Sequence, residues 1–428
     1  MVTRRFFLRA SGLTLVSFGA APRVLLRSAL AAEASGRKKT LVVVFQRGAC
    51  DGLNTVVPYG ETAYAQLRPS IAIPAPRAGG GVAALDLDGF FGLHPALEPL
   101  LPLWRERSLA IVHAVGSPDG TRSHFDAQDF MESGTPGRKS TEDGWMNRHL
   151  QTHPDPRATP FRGVALTPTL PRSLSGRAPA VAMASIAAFG LHGGSAAGAT
   201  LQQMYATAVR DVLHGTGQET FEALRFLRTA DPSRYRPAPG ANYPGGRFAD
   251  SLAQIAQLIK ADVGVELAFT EIGGWDHHAA EGGAEGQLAN RLRELGHGLA
   301  AFHRDLADRA GDVALVTLTE FGRTARENGN RGTDHGHASV SFAMGGSVSG
   351  GRVYGRWPTL APDRLYEGRD LAVTTDFRDL LAELLAGHLG ARNLGGVFPG
   401  YAVECARFPG VMRSSGQSVR LDKLEKRI

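Results

Sequence analysis

Residues 41–45 read Leu41-Val42-Val43-Val44-Phe45, an unbroken apolar run rich in β-branched side chains. A strand with one wet face alternates apolar and polar residues, whereas a strand covered on both faces reads as a continuous apolar run. This stretch therefore predicts a strand in the interior of a sheet that carries helices on both faces. After Gln46, the polar, Gly-containing segment Arg47-Gly48-Ala49-Cys50-Asp51 marks the end of the strand.

Apolar runs and helical periodicities alternate along most of the 428-residue chain. Strands are predicted at 40–45, 109–115, 263–272, 313–319 and 339–344, and helices at 95–105, 125–132, 248–259, 288–306 and 377–389. This alternation indicates an α/β fold with a mostly parallel central sheet. We predict one α/β domain over 38–412, a Pro- and Gly-rich insertion or cap over about 154–246, and a polar tail over 413–428.

The N-terminus has the order of features found in a twin-arginine export signal. Arg4-Arg5 opens a basic segment, an apolar stretch follows, and small residues around Ala31 supply a cleavage site. The alternative interpretation is a basic amphipathic helix. We predict that the export machinery recognises residues 1–31, which are then removed, so that the mature protein is periplasmic or secreted. No later segment reaches 18 uninterrupted apolar residues, so no stable membrane span is expected in the mature chain.

The basic character of the chain belongs to this signal. Residues 1–31 contain five arginines and no acid, and the remainder holds 42 basic and 41 acidic residues. A balanced mature chain gives no reason to expect a nucleic-acid partner. Cys50 and Cys405 are compatible with a disulfide in an oxidising compartment or with two separate thiols.

Four of the predicted strands run into polar segments that contain candidate site residues. These residues are Asp51, Ser123, Asp276, His278 and Glu320. Binding sites in open α/β sheets form outside the carboxyl ends of the strands. We therefore expect these side chains to meet at one edge of the sheet.

Two Gly-rich runs place acids and imidazoles side by side, at 273–278 (GGWDHH) and 332–337 (GTDHGH). Carboxylate oxygens and neutral imidazole nitrogens are ligands for Zn, Mn, Fe, Mg or Ca. Glycine allows the backbone to approach an ion closely. The two runs predict a divalent metal site with one or two ions.

Ser123 opens the segment Ser123-His124-Phe125-Asp126, which has the pattern of a helix capping box. As an N-cap its hydroxyl lies at the positive end of the helix dipole, where an ionised oxygen is stabilised. Ser123 is therefore a candidate nucleophile, and the alternative is a residue that only caps the helix. Thr121 is the second candidate for the attacking hydroxyl.

Five segments resemble the bacterial family known as domain of unknown function 1501, which is related to the sulfatase and alkaline phosphatase superfamily. They are residues 47–54, 123–128, 273–276, 319–323 and 334–337. The resemblance covers nearly all of the mature chain. It implies an alkaline-phosphatase-like fold and a metal-dependent site that hydrolyses phosphate or sulfate esters.

The resemblance also implies roles for individual residues. Asp51 matches the first metal-binding Asp of the superfamily, and Ser123 matches its nucleophile. Asp276 and His278 resemble its Asp with a nearby His, and His335-Gly336 matches its late His-Gly pair. Glu320-Phe321 stands where an Asp-His dyad is expected, so one ion is either lost or held by Asp334 or His337. The cysteine motif of formylglycine sulfatases is missing after Cys50.

We therefore predict an exported metal-dependent hydrolase that acts on a small-molecule or glycan ester. The predicted metal ligands are Asp51, Asp276, His278, Glu320, Asp334, His335 and His337. Ser123 would attack the ester, and Arg323 or Arg122 would clamp a non-bridging oxygen, because a guanidinium fork matches phosphate and sulfate. The alternative is a non-catalytic cell-envelope protein that keeps the fold and binds a glycan or a protein partner.

Overall fold

A computed structural model describes residues 37–76, 82–156, 158–187 and 235–413. Its strands, in chain order, are β1 Thr40–Arg47, β2 Val56–Val57, β3 Leu85–Asp86, β4 Gly92–Leu93, β5 Leu109–Gly116, β6 Gly163–Ala165, β7 Val181–Ala182, β8 Leu267–Gly273, β9 Val313–Leu318, β10 Ser339–Gly345, β11 Arg352–Tyr354 and β12 Thr375–Asp376. The central sheet has the order β11-β5-β10-β9-β1-β8-β6-β7, with β12 also paired to β5. Strands β2, β4 and β3 form a small second sheet.

The central sheet is mostly parallel, as the sequence predicts. β1 lies between β8 and β9 and is parallel to both. Among the described strands of the central sheet, β10 alone runs against its neighbours, β5 and β9. Its first residue, Ser339, therefore lies beside Val115 near the carboxyl end of β5. This reversal brings the segment before β10 to the edge where the other strands end.

The structure describes five longer helices, and all of them except Trp145–Thr152 lie close to predicted positions. They are α1 His124–Ser133, α2 Trp145–Thr152, α3 Arg247–Lys260, α4 Gln287–Asp305 and α5 Phe377–Gly387. Short helices are Gly52–Thr55, Thr62–Leu67, Leu101–Arg105 and Leu394–Val397, and 3₁₀ turns are Pro95–Leu100, Arg172–Leu174, Ala307–Arg309 and Cys405–Arg407. The helix predicted at 95–105 begins as a 3₁₀ turn that contains Pro99 and continues as the short α-helix Leu101–Arg105.

The first apolar run is buried on both faces. Val42 and Val44 belong to a core cluster packed under α3 and α4, which contains Leu252 and Leu295. Leu41, Val43 and Phe45 belong to a second cluster on the opposite face, together with residues of α2 and α5. The continuous apolar pattern is therefore explained by two separate cores, one on each side of the sheet.

Part of the region predicted as an insertion or cap belongs to the central sheet. Strands β6 and β7 lie inside 154–246, and β6 pairs with β8 in parallel, so this part extends the central sheet. Their three- and two-residue lengths explain why no apolar periodicity marks them in the sequence. Residues 188–234, the export signal at 1–31 and the tail beyond Arg413 lie outside the described residues.

Two further expectations concern the cysteines and membrane spans. Cys50 is buried, Cys405 is exposed, and both are free thiols. In the described residues, no helix combines the length and the apolar character that crossing a bilayer requires.

Candidate metal centre

Residues from three distant parts of the chain meet at the carboxyl edge of the central sheet. His124 is the first residue of α1, and Asp276 and His278 follow β8. His335 precedes the antiparallel strand β10 and is delivered to the same edge by the direction of that strand. The expected meeting of strand ends is therefore observed for this part of the site.

The side chains converge on the carboxylate of Asp276. Its Oδ2 lies 3.4 Å from Nε2 of His124, and its Oδ1 lies 3.2 Å from Nε2 of His335 and 3.0 Å from Nε2 of His278. Potential ligand atoms of His124, Asp276 and His335 all lie within 4.8 Å of one another. Nε2 of His278 is 3.0 Å from Nε2 of His335.

The outer nitrogens of the three imidazoles are held by oxygens that only accept hydrogen bonds. Nδ1 of His124 lies 2.8 Å from Glu320 Oε1, and Nδ1 of His278 lies 3.0 Å from Asp334 Oδ1. Nδ1 of His335 lies 2.8 Å from the carbonyl oxygen of Arg122. Nδ1 must therefore carry the hydrogen, and in the neutral ring Nε2 presents a lone pair. Nε2 of His124 is buried and has no hydrogen-bond partner among the described residues. Three lone pairs directed at one carboxylate fit a cation, and outer partners of this kind are typical of metal-bound histidines.

Charge around the centre favours ionised acids. Burial opposes ionisation of Asp276, but the Arg323 guanidinium keeps the pKa of Asp276 below its ordinary value. Burial likewise opposes ionisation of Glu320, and its hydrogen bonds from His124 and Gln128 lower the pKa of Glu320. The same Glu320 contact raises the pKa of His124. The structure thus holds carboxylates where the imidazoles can donate to them.

Arg323, predicted as an ester clamp, instead donates its hydrogen bonds to groups of the protein. Its side chain is 1% exposed and donates to Asp276 Oδ1 at 2.5 Å. It also donates to four backbone carbonyls, those of Gly48, Ala49, Trp275 and Thr333, at 2.9 to 3.2 Å. Arg323 therefore ties together the loops after β1, β8 and β9 and fixes Asp276.

Arg122, the other predicted clamp, is also held by carboxylates. Its Nη2 is 2.6 Å from Asp370 Oδ2 and 2.6 Å from Glu367 Oε2. Because its carbonyl accepts from His335, these ion pairs help to position that imidazole.

Close backbone approach explains two glycines of the site. Gly48 has φ +117°, and a Cβ at this position would lie 2.9 Å from the backbone nitrogen of Asp276. Gly336 donates to the carbonyl of Gly322 at 2.8 Å, and Arg323 forms a bridge with His335. A side chain at Gly336 would collide with the Arg323 backbone. These contacts bring the segment with His335 against the loop after β9.

Some of the predicted metal ligands lie around the centre, and others lie apart from it. Glu320 and Asp334 contact the outer nitrogens of His124 and His278, so they lie around the centre. His337 lies apart and stacks on Tyr366 with ring centroids 4.1 Å apart. Ser123 is exposed and caps α1, with its hydroxyl accepting from the Asp126 backbone at 3.5 Å.

Asp51 lies in a separate buried cluster instead of among the three imidazoles. Both of its oxygens accept from Arg68, which is itself fully buried. Arg68 also donates to the carbonyls of Thr324 and Ala325. The carboxylate of Asp51 is therefore paired with a buried guanidinium, and Asp51 is not among the ligands of the proposed centre.

Glu281 completes this buried cluster and gives a pH-dependent prediction. Burial and the neighbouring Asp51 carboxylate raise the pKa of Glu281 well above its usual 4.5. The folded protein then holds a proton that the unfolded chain releases above pH 4.5, so Glu281 costs stability as the pH rises. We expect Glu281→Gln to be more stable than wild type at neutral pH, with the gain disappearing near pH 4.5.

Thermal melts of metal-free protein at several pH values measure this difference. Glu285→Gln is the matched control, because Glu285 is exposed on the same loop. A gain for Glu281→Gln that is equal at all pH values would contradict a protonated Glu281.

Sequence reasoning missed three residues of this region. His124 stands inside the capping segment, where the capping pattern itself gives it no role, and its position at the start of the helix that follows β5 is the signal that could have identified it. Arg68 and Glu281 carry no sequence signal, because their importance comes from complete burial beside Asp51.

The fold and these side chains define an α/β protein with a candidate metal centre at the carboxyl edge of its sheet. Residues 109–396, more than half of the chain, match the family described as "Protein of unknown function (DUF1501)", and the protein belongs to this family. The resemblance predicted from the sequence is thereby confirmed. No curated protein matches the chain in sequence.

Two solved structures are similar at low identity. One is the C-terminal periplasmic domain of EcEptC from Escherichia coli in complex with Zn, at 12% identity and TM-score 0.35, with 73% of this chain and 74% of that chain covered. The other is the PsFucS1 sulfatase from Pseudoalteromonas sp., at 12% identity and TM-score 0.38, with 91% of this chain and 76% of that chain covered.

Proposed function

We propose that this protein is an exported, metal-dependent hydrolase of phosphate or sulfate esters. The supporting observation is the set of three imidazoles whose Nδ1 atoms are fixed by acceptors and whose Nε2 atoms face Asp276. Asp276, His124, His278 and His335 would hold a single divalent ion. A bound divalent ion polarises an ester oxygen and stabilises the charge that develops on it.

The chain's own groups would prepare this site before substrate arrives. Glu320, Asp334 and the Arg122 carbonyl keep each imidazole in the tautomer that presents Nε2. Arg323 keeps Asp276 ionised and oriented. Since these partners are in place in the folded protein, little rearrangement is needed for metal to bind.

In this proposal Ser123 supplies the attacking hydroxyl. It directly precedes His124 and is exposed at the N-terminus of α1. The positive end of a ten-residue helix favours both an ionised hydroxyl and an anionic ester group. The hydroxyl oxygen would bond to phosphorus or sulfur as the ester bond breaks, and its proton would pass to the departing oxygen, so that the leaving group is released as an alcohol. Water would then hydrolyse the ester formed on Ser123, releasing phosphate or sulfate and regenerating the hydroxyl.

Two variants of Ser123 separate catalysis from capping. Ser123→Ala removes the hydroxyl and the cap, and should cost about 0.5–2 kcal/mol of stability. Ser123→Asn keeps a cap of similar strength but has no hydroxyl. If Ser123 is the nucleophile, both variants should lose turnover by a factor on the order of 10³ or more while still binding metal.

The measurement is steady-state turnover on a panel of phosphate and sulfate esters, with metal content and thermal melts of each variant. Activity kept by Ser123→Asn but lost by Ser123→Ala would assign Ser123 to capping alone. Activity kept by both would move the proposed nucleophile to Thr121 or to water.

A second candidate function is a non-catalytic binding protein of the cell envelope. It is favoured by the state of the two arginines predicted to clamp the ester. Arg323 is fully buried, and Arg122 is paired with Asp370 and Glu367, so neither guanidinium is open to a substrate. In that case wild-type protein loaded with Zn, Mn, Mg or Ca would turn over no ester of either class.

A further inference from the structure

Phe321 packs against two of the imidazoles that the proposed metal site uses. Its ring centroid is 5.0 Å from that of His124 and 5.0 Å from that of His335. The two imidazoles are 4.3 Å apart, at an interplanar angle of 72°. We propose that Phe321 is a positioning residue, which fixes the tilt of both imidazoles by contact with their rings. This inference rests on the metal centre of the proposed function.

The surroundings of Phe321 prevent the ring from moving. The side chain is 4% exposed and forms a small apolar cluster with Ala49 and Ala127. Ala127 lies one turn after His124 on α1, so both face the same side of the helix. Two alanines leave room for an aromatic ring, and a close-packed ring cannot shift without displacing its neighbours.

The hydrogen bonds at Nδ1 do not by themselves fix the tilt of the imidazole rings. Each imidazole is held at Nδ1 by one acceptor, and a single hydrogen bond permits the ring to tilt about that point. A tilt changes the direction of the Nε2 lone pair and therefore the fit to an ion. Phe321 restricts this tilt for His124 and His335 together, because one rigid group contacts both.

The position of Phe321 in the chain supports this role. It directly follows Glu320, whose carboxylate accepts from Nδ1 of His124 at 2.8 Å. Two residues later Arg323 donates to Asp276. The short segment after β9 therefore makes three contacts with the site. Glu320 accepts from His124, Phe321 packs on the ring of His124, and Arg323 donates to the carboxylate of Asp276.

The test compares Phe321→Leu and Phe321→Met with Phe302→Leu. Phe302 is a residue of α4, is 2% exposed and packs into the core, so its replacement controls for lost packing. The probe is Co²⁺, titrated into metal-free protein and followed by its visible absorption, with Zn²⁺ competition for affinity. Both Phe321 variants should bind roughly 10–100-fold more weakly, the range seen for changes outside the ligands. Their Co²⁺ spectra should also change, whereas Phe302→Leu keeps the wild-type spectrum and affinity.

The outcomes separate this inference from the hydrolase proposal. The titration needs no turnover, so an inactive wild type that binds Co²⁺ leaves Phe321 testable. Wild-type affinity and spectrum in both Phe321 variants would overturn the positioning role while leaving the metal centre intact. An equal loss in Phe302→Leu would overturn it too, because the effect would then be general destabilisation. A wild type that binds no ion would refute the metal centre itself.

Discussion

Replacement of His124 by alanine is expected to reduce bound metal from about one equivalent to background. His124 supplies the buried Nε2 that has no hydrogen-bond partner among the described residues. Its loss removes one of the imidazoles directed at Asp276 and leaves an open side to the site. We expect a larger loss of affinity than the roughly 10–100-fold typical of residues outside the ligands. Ester hydrolysis, if present, should disappear with the metal.

Elemental analysis and thermal melts with and without chelator measure this effect. A ligand that binds only the folded state stabilises it, so chelator should lower the melting temperature of wild type but not of His124→Ala. His297→Ala is the matched control, because His297 is exposed on α4. Wild-type metal content in His124→Ala would move the ion to another set of residues.

Arg323→Met is expected to destabilise the metal-free protein by about 3–5 kcal/mol. The substitution keeps a long apolar stem but leaves four carbonyls and the Asp276 carboxylate without their donor. Unpaired buried acceptors are costly, and the three loops that Arg323 joins would separate. Arg323→Lys should have an intermediate effect, because an ammonium has three donors for five acceptors.

Urea unfolding in the presence of chelator isolates this loss from any metal effect. Arg326→Met serves as control, since Arg326 is exposed on the same loop and should change stability by no more than about 0.5 kcal/mol. Added phosphate or sulfate should not restore the stability or the metal binding of Arg323→Met, because Asp276 and four backbone carbonyls already take the donors of the guanidinium in wild type. A variant of Arg323 with normal stability but weakened substrate binding would instead restore the clamp role.

The apolar run at 41–45 was sufficient to predict the class of fold. Its residues alternate between two cores, so both faces of the strand are apolar in the sequence. The expected edge of the sheet also follows from strand ends, and Asp276 and His278 lie there. The direction of β10 did not follow, because an apolar strand has the same pattern whichever way it runs. That direction decides where His335 lies.

Charged residues were harder to assign than apolar ones. Asp51, Arg122 and Arg323 each follow a strand and have the residue types of a binding site. Their roles depend on which charged groups lie next to them in the folded protein. Arg68 lies 17 residues from Asp51 in the chain and binds both of its oxygens. Such pairing is set by the complete tertiary structure, since no periodicity marks a residue that is buried only because it is paired.

The spacing of the four metal-directed residues along the chain has a consequence for how the protein acquires an ion. His124, the Asp276–His278 pair and His335 come from segments that are brought together only when β5, β8, β9 and β10 share one sheet. Closing such long stretches of chain carries an entropy cost that an isolated fragment has no sheet to offset. A peptide that contains only one of these segments should therefore not retain the ion, and loading follows folding instead of guiding it.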